Sequence, residues 1–275
     1  MPDALPRSAE LTGYVLERNG CPIHYWLGEP TDRPLVVFTH GAMMDHHGFD
    51  PQVPEIAREY RVMTWDVRGH GKSHPMGMSF TVQDCVEDLV AILDAIGANR
   101  AVFIGHSNGT YIGQEMVFLH PERVRALVVI DGTCITCRHS LIEHLALGTS
   151  TFWLRLFPWD IFRREVAKAC AFRQDVRDSI YETIGQISKE DFLTIWYGVT
   201  HCLHYEPGYR IPCPMLLVHG DHDTTGDIRK IAPVWAAREP DCRYVVIPDA
   251  RHNANQDNPN FFNRVLVEFL RENVA

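Results

Sequence analysis

A Gly-x-Ser-x-Gly pentapeptide, Gly105-His106-Ser107-Asn108-Gly109, joins the apolar run Ala101-Val102-Phe103-Ile104 to the helix-like run Thr110-Tyr111-Ile112-Gly113-Gln114-Glu115-Met116-Val117. A strand that passes straight into a helix through such a pentapeptide makes a turn so sharp that its central residue takes a strained backbone conformation, the nucleophile elbow. The flanking positions must be small so that helix and strand can approach. Ser107 Oγ is then held clear of the backbone at a helix N-terminus, where the dipole favours developing negative charge. The same letters could mark an ordinary glycine-rich strand-to-helix turn; the strand before and the helix after favour the elbow.

The rest of the chain supplies the sheet that such a unit needs. Strands are expected at 35–39, 61–65, 101–105 and 126–131, and helices near 50–59, 81–96 and 108–119. In the second helix Val86, Leu89, Val90, Leu93 and Ile96 recur at helical spacing. Tyr14-Val15-Leu16-Glu17 and Ile23-His24-Tyr25-Trp26 flank Asn19-Gly20 and read as a hairpin over 11–28. This alternation predicts an α/β fold: a mainly parallel twisted sheet with helices on both faces. After Asp131 the alternation stops, and the sequence becomes helix-like and rich in rings, from Phe152 and Trp153 to Trp196 and Tyr205. Strand rhythm returns at Pro214. The expected organisation is a core of residues 1–132 and 209–275 with a helical cap at 133–208. Some cap rings should wall an apolar cleft, and the others should form the cap's own small core. A length of 275 residues suits one such domain with an insertion.

A serine hydroxyl is a poor nucleophile near neutral pH. It needs a base within hydrogen-bond reach and a third group that orients the base. Hydrolases with this elbow carry these in the order serine, acid, histidine. Pro214-Met215-Leu216-Leu217-Val218-His219-Gly220 reads as a buried strand, with Asp221-His222-Asp223 directly after it. Arg243-Tyr244-Val245-Val246-Ile247-Pro248 reads as another, followed by Asp249-Ala250-Arg251-His252. Asp131 ends the strand Ala126–Ile130. Sites in open parallel sheets lie beyond the strand carboxyl ends. One cleft can therefore gather Ser107, His252 and an acid chosen from Asp131, Asp221 and Asp223.

From about Tyr14 to its C-terminus the chain resembles the α/β-hydrolase fold superfamily. His40-Gly41 after the strand at 35–39 resembles its oxyanion-strand motif. Asp66-Val67-Arg68-Gly69-His70-Gly71-Lys72-Ser73 resembles its D-x-R-G-x-G-x-S turn. Gly220-Asp221-His222-Asp223 resembles its G-x-x-D acid turn, and His252 with Asp257 and Pro259 resembles its histidine loop. The resemblance implies Ser107 as nucleophile, His252 as base and Asp223 as orienting acid. The backbone N–H of Asn108, at the helix start, is one expected oxyanion donor; the resemblance supplies Ala42 as the other. His40 should brace the oxyanion loop. His40, Met43, His106, Trp153 and Trp196 are the expected substrate contacts.

Two positions depart from the family pattern: Arg251 stands where glycine is usual before the histidine, and Thr110 where a glycine often follows the elbow. Serine in the elbow argues against haloalkane dehalogenases and epoxide hydrolases, whose relatives use aspartate there. The missing His-Gly-Gly-Pro-Gly argues against a proline-iminopeptidase-like enzyme. The expected function is a serine hydrolase acting through an acyl-enzyme on a small-to-medium, apolar or aromatic carboxylic ester, lactone or thioester. The alternatives are a C–C hydrolase of ring-cleavage products, a cofactor-free haloperoxidase or perhydrolase, and a ligand receptor that keeps the triad. None of the expected steps requires a metal or organic cofactor.

A net charge of −9 gives no basic footprint for nucleic acid and no reason for attraction to anionic membranes. No run approaches the roughly 18 apolar residues of a membrane span. The expected partner is a small-molecule substrate, and the oligomeric state is open. Met1–Glu10 lacks the apolar core of an export leader. With no leader, the eight scattered cysteines are expected to be reduced thiols in a cytosol. Cys134-Ile135-Thr136-Cys137 could begin a zinc site with His139 or His144, or be a redox motif, but it has no second C-x-x-C. The expectation is two packing cysteines at the cap hinge.

Overall fold

A computed structural model describes residues 10–138 and 141–274, with the side chains of 141–147 left aside. Residues 1–9 of the segment read for a leader, His139, and the side chain of His144 lie outside the described residues. The chain forms strands β1 (Thr12–Arg18), β2 (Cys21–Leu27), β3 (Leu35–Thr39), β4 (Arg61–Trp65), β5 (Ala101–His106), β6 (Val124–Ile130), β7 (Met215–Gly220) and β8 (Cys242–Ile247). Its helices are α1 (Val53–Ile56), α2 (Val82–Ala95), α3 (Asn108–Leu119), α4 (Leu141–Leu156) and α5 (Trp159–Cys170). Then come α6 (Gln174–Ile184), α7 (Lys189–Thr200), α8 (Ile228–Arg238), α9 (Ala254–Asp257) and α10 (Pro259–Asn273).

The strands join one eight-stranded sheet in the order β1-β2-β4-β3-β5-β6-β7-β8. β1 and β2 pair antiparallel, as do β2 and β4; every other pair is parallel. The central strands β3, β5, β6 and β7 are apolar almost throughout because both their faces are covered. Their side chains alternate between two cores. Val37, Phe103, Leu127 and Leu217 meet Leu89, Leu93, Ile112 and Met116 of α2 and α3 on one face. Phe38, Ile104, Val128 and Val218 meet Phe262, Leu266 and Phe269 of α10 on the other.

Two elements differ from expectation. The helix expected near 50–59 is a tight turn at His46–Phe49 followed by the single helical turn α1. Pro51 and Pro54 lack the N–H that a continuous helix would use, while Phe49, Val53 and Ile56 still reach the core. β6 begins at Val124, ahead of the expected 126, because exposed Arg125 hides the start of the apolar run.

Helices α4–α7 lie between β6 and β7. α5 packs on α6, and α4 on α7. Ala167, Ala171, Val176, Ile180 and Ile184 form a small core with Met44, whereas Phe192, Ile195 and Val199 root α7 in the main core. Among the described residues no helix is long and apolar enough to cross a membrane.

The Asp66–Ser73 turn holds the loop beside the site. Buried Asp66 accepts from the backbone N–H of His46 at 2.8 Å and of Lys72 at 2.7 Å, and from His46 Nδ1 at 2.8 Å. Arg68, also buried, grips Asp88 through Nε and Nη2, both at 2.7 Å. Burial pushes the Asp88 carboxyl above the ordinary range although Arg68 opposes it. Arg68→Met is therefore expected to cost about 3 kcal/mol of stability at neutral pH, because it leaves a buried carboxylate with only the long 3.4 Å contact from Arg18 Nε. Folded Asp88 binds its proton more readily than unfolded Asp88, so the cost should shrink as pH falls through its raised pKa. Urea melts across pH check this; a pH-independent loss would point to packing alone.

Candidate active site

Ser107 sits between β5 and α3 with φ 48° and ψ −116°, a conformation that L-residues rarely adopt. The local sequence imposes it. A Cβ at Gly105 would collide with the Gly109 backbone, and a Cβ at Gly109 would collide with the Thr39 carbonyl of β3. Thr110, one of the departures from the family pattern, donates its hydroxyl to the Ser107 carbonyl at 2.7 Å and so reinforces the turn.

His252 follows β8 and reaches Ser107 Oγ through Nε2 at 3.0 Å. Its Nδ1 lies 3.1 Å from Asp223 Oδ2. Asp223 stands on the turn after β7 and also accepts the Thr225 N–H at 2.8 Å. Burial works to raise its carboxyl, but His252 and the Thr225 N–H outweigh it and hold the group below the ordinary range.

The two rival acids are placed differently. Asp131, fully buried at the end of β6, accepts the Gly220 N–H at 2.8 Å and the Ala254 N–H at 3.0 Å. Burial first, and the neighbouring Asp223 second, push it well above the ordinary range. Asp221 pairs with His222 Nδ1 at 2.7 Å near the surface and accepts the Ala250 N–H at 3.1 Å. Ligand-type atoms of Asp131, Asp223 and His252 lie within 4.8 Å of one another, the one such group found among the described residues. Each already has hydrogen-bond partners: His252 meets Ser107 and Asp223, Asp223 also accepts the Thr225 N–H, and Asp131 accepts two backbone N–H groups.

Asn108 is the first residue of α3, so its N–H has no intrahelical carbonyl partner. Ala42 follows Gly41, where an added Cβ would lie 3.1 Å from Ser107 Cβ. Ala42, Ser107 and Asn108 share one small chamber of about 90 Å³. A larger chamber of about 310 Å³ opens beside it, walled by Met43, Met44, Leu154, Phe162, Ile180, Phe192 and Trp196. No lysine or arginine lines either chamber among the described residues.

The expected substrate contacts divide. Met43, His106 and Trp196 line the large chamber. His106 also donates through Nε2 to the His252 carbonyl at 2.7 Å; burial and nearby His252 lower its pKa to about 3. His106 therefore stays neutral and pins the histidine loop. His40 lines neither chamber. It is buried, donates through Nδ1 to the Gly41 carbonyl at 2.8 Å and accepts the Val67 N–H through Nε2 at 3.0 Å. It ties the Gly41 loop to the Val67 backbone and is corrected as a substrate contact.

Trp153 is corrected as well. It is 64% exposed and packs edge-on against Phe152. Its neighbour Leu154, about 100° further round the helix, faces the cavity instead. The rings that do face it could have been found by helical phase: Phe162, Val166, Ala169 and Cys170 make one stripe on α5, and Phe192 and Trp196 another on α7.

Arg251 turns to the cap. It donates to the Lys168 carbonyl and lies over the Phe172 ring at 4.6 Å. Asp257 extends that tie by accepting the N–H groups of Arg251, Phe172 and Arg173. Cys134 is buried beside Cys137 and lies 3.4 Å from Thr136 Oγ1.

A family model described as "alpha/beta hydrolase fold" matches residues 34–160. Human "Epoxide hydrolase 4" is 23% identical over 282 residues, covering 94% of this chain and 78% of that protein. A thermophilic esterase from Thermogutta terrifontis superposes with a TM-score of 0.81 at 20% identity, covering 97% of this chain and all of that one. An enol-lactonase from Burkholderia xenovorans does so with a TM-score of 0.78 at 22% identity, covering 94% of this chain and all of that one.

Proposed function

We propose that this chain, a member of the α/β-hydrolase fold superfamily, is a serine hydrolase of small-to-medium, uncharged carboxylic esters or lactones. The observation that carries the reading is the unbroken line Ser107 Oγ–His252 Nε2 and His252 Nδ1–Asp223 Oδ2, at 3.0 and 3.1 Å. Ser107 attacks the acyl carbon while His252 takes its proton. Asp223 holds the imidazole in the tautomer that can accept that proton and stabilises the imidazolium. The N–H groups of Asn108 and Ala42 stabilise the oxyanion, each donor worth about 3 kcal/mol. His252 returns the proton to the leaving group. It then activates a water that resolves the acyl-enzyme and regenerates Ser107.

Some relatives are named epoxide hydrolases, but the chemistry at residue 107 favours an acyl carbon. A serine that opened an epoxide would be left as an ether, which water does not cleave. A serine ester is hydrolysed readily. The esterase and enol-lactonase names among the structural neighbours agree with this choice.

The large chamber supports the substrate class. At about 310 Å³ it holds roughly ten water-sized volumes, enough for a medium alkyl or aryl group. Its apolar wall offers no cation to a charged acyl group. A fluorophosphonate label and a panel of p-nitrophenyl esters of graded acyl length test the reading. Labelling of wild type without turnover of any ester would instead favour a receptor that keeps the triad. Phe162→Ala and Trp196→Ala are expected to shift the preferred acyl length upward while changing acetate turnover less than tenfold. Trp153→Ala, on the outer face, should leave the preference unchanged. Uniform slowing of all esters by the two cavity variants, with lowered melting temperatures, would reject a specificity role.

A further inference from the structure

We infer that the small chamber beside Ser107 is a subsite for an uncharged hydrogen-bonding fragment of the substrate, a hydroxyl or amide two to four bonds from the scissile carbonyl, recognised by the Asn108 side chain. The inference rests on the ester-hydrolase reading for its chemistry and on separate observations for its geometry.

Asn108 is 1% exposed, yet its Nδ2 and Oδ1 are both buried without a hydrogen-bond partner among the described residues. Buried side-chain amides nearly always use their donor and acceptor. Packing alone would favour an apolar residue of the same shape here, since an apolar side chain carries no polar atoms to satisfy. Asn108 stands in the wall of the 90 Å³ chamber together with Ser107, Tyr111, Thr200, Thr225 and His252. Turned into the chamber, that amide offers a ligand group a donor and an acceptor from one side chain. That matches a hydroxyl or a primary amide, each of which can both give and take a hydrogen bond.

Size and charge narrow the class. About 90 Å³ admits roughly three non-hydrogen atoms at the volume of one water each. A carboxylate there would find no lysine or arginine among the described lining residues, and Asp131 stands in the same wall. An ammonium would meet an Asp131 whose two oxygens already accept backbone N–H groups. The fragment is therefore neutral. Trp196 stands in the walls of both chambers, as do Ala42, Ser107, Thr225 and His252. The substrate is accordingly two-sided, with an apolar arm in the large chamber and a short polar arm in the small one.

Unreactive amides test this on a Ser107→Ala background, where turnover cannot confuse binding. N-(2-hydroxyethyl)hexanamide is compared with N-propylhexanamide, and N-hexyl-2-hydroxyacetamide with N-hexylpropanamide. Each pair exchanges a hydroxyl for a methyl, on the leaving-group side in the first and on the acyl side in the second. Calorimetry should show the hydroxyl member of one pair binding at least about tenfold more tightly, as expected of a site built to bond that group. Adding Asn108→Leu should erase or reverse that ratio, and Asn108→Ala should bring it near one; the second variant serves if the first does not fold. Equal binding within both pairs, no binding by any of the four, or a ratio that survives both substitutions overturns the subsite. Fluorophosphonate labelling and ester turnover of wild type are read separately. Their failure with the hydroxyl ratio intact would reject the hydrolase and leave the subsite standing; the converse would reject the subsite alone.

Discussion

Ser107→Ala is expected to remove fluorophosphonate labelling altogether and to lower ester turnover by about 10⁶-fold, the scale seen when a triad nucleophile is deleted. A residual advantage over water of roughly 10³-fold should remain, because the oxyanion donors and the binding chambers are untouched. The protein should stay folded, since Ser107 contributes strain at the elbow rather than packing. Its φ of 48° and ψ of −116° lie where only glycine is at ease. Ser107→Gly should therefore be equally inactive and more stable than wild type by about 1 kcal/mol, exposing the strain that the elbow stores. Labelling and turnover are measured beside urea melts. Persistent labelling of Ser107→Ala would remove the serine from the chemistry. A Ser107→Gly variant no more stable than Ser107→Ala would remove the strain argument.

What the sequence discloses tracks how local each determinant is. Gly105 and Gly109 are forced by contacts within one turn and the next strand, so the elbow is visible in five letters. The parallel sheet is visible because β3, β5, β6 and β7 are apolar on both faces. Gly220-x-x-Asp223 and His252 follow apolar runs that become adjacent strands, so their meeting follows from sheet order. The cap is less legible. A ring-rich helix announces that it packs but not which rings face inward, because its phase is set by partners far away in sequence. Trp153 and Leu154 are neighbours, and only the second meets the cavity. Arg251 reads as a cation near the site, yet Phe172 and the Lys168 carbonyl, about 80 residues earlier, draw it to the cap. Asn108 carries its backbone role in the motif, whereas its orphaned amide emerges only from the folded surroundings.

Asp223→Asn is expected to depress kcat by about 10⁴-fold, and Asp131→Asn by tenfold or less. The two acids sit side by side, but their surroundings drive them apart. Asp223, held below the ordinary range, is a carboxylate that accepts from His252 Nδ1. An amide there would present its own N–H to Nδ1. The proton would then reside on Nε2, where it blocks acceptance from Ser107. Asp131 is pushed well above the ordinary range by burial and by Asp223, and its two oxygens accept backbone N–H groups rather than His252 Nδ1, so an amide of the same shape there leaves the His252 tautomer alone. Its remaining duty is to bridge the Gly220 and Ala254 N–H groups, which bracket the acid turn and the histidine loop. Asparagine has one acceptor for two donors, which accounts for the modest loss.

The stabilities should diverge with pH in opposite senses. Asp223's depressed pKa contributes stability above the ordinary carboxylate range, lost as pH falls through its folded value. Asp131's raised pKa contributes stability below that range, lost as pH rises through its folded value. Asp131→Asn should therefore flatten the decline in melting temperature on the alkaline side of that window, and Asp223→Asn should flatten the decline on the acid side. Turnover and melting curves across pH for both variants decide the assignment. A larger kcat loss in Asp131→Asn would transfer the orienting role to the end of β6. Unchanged melting profiles would show that neither carboxyl is shifted as its surroundings require.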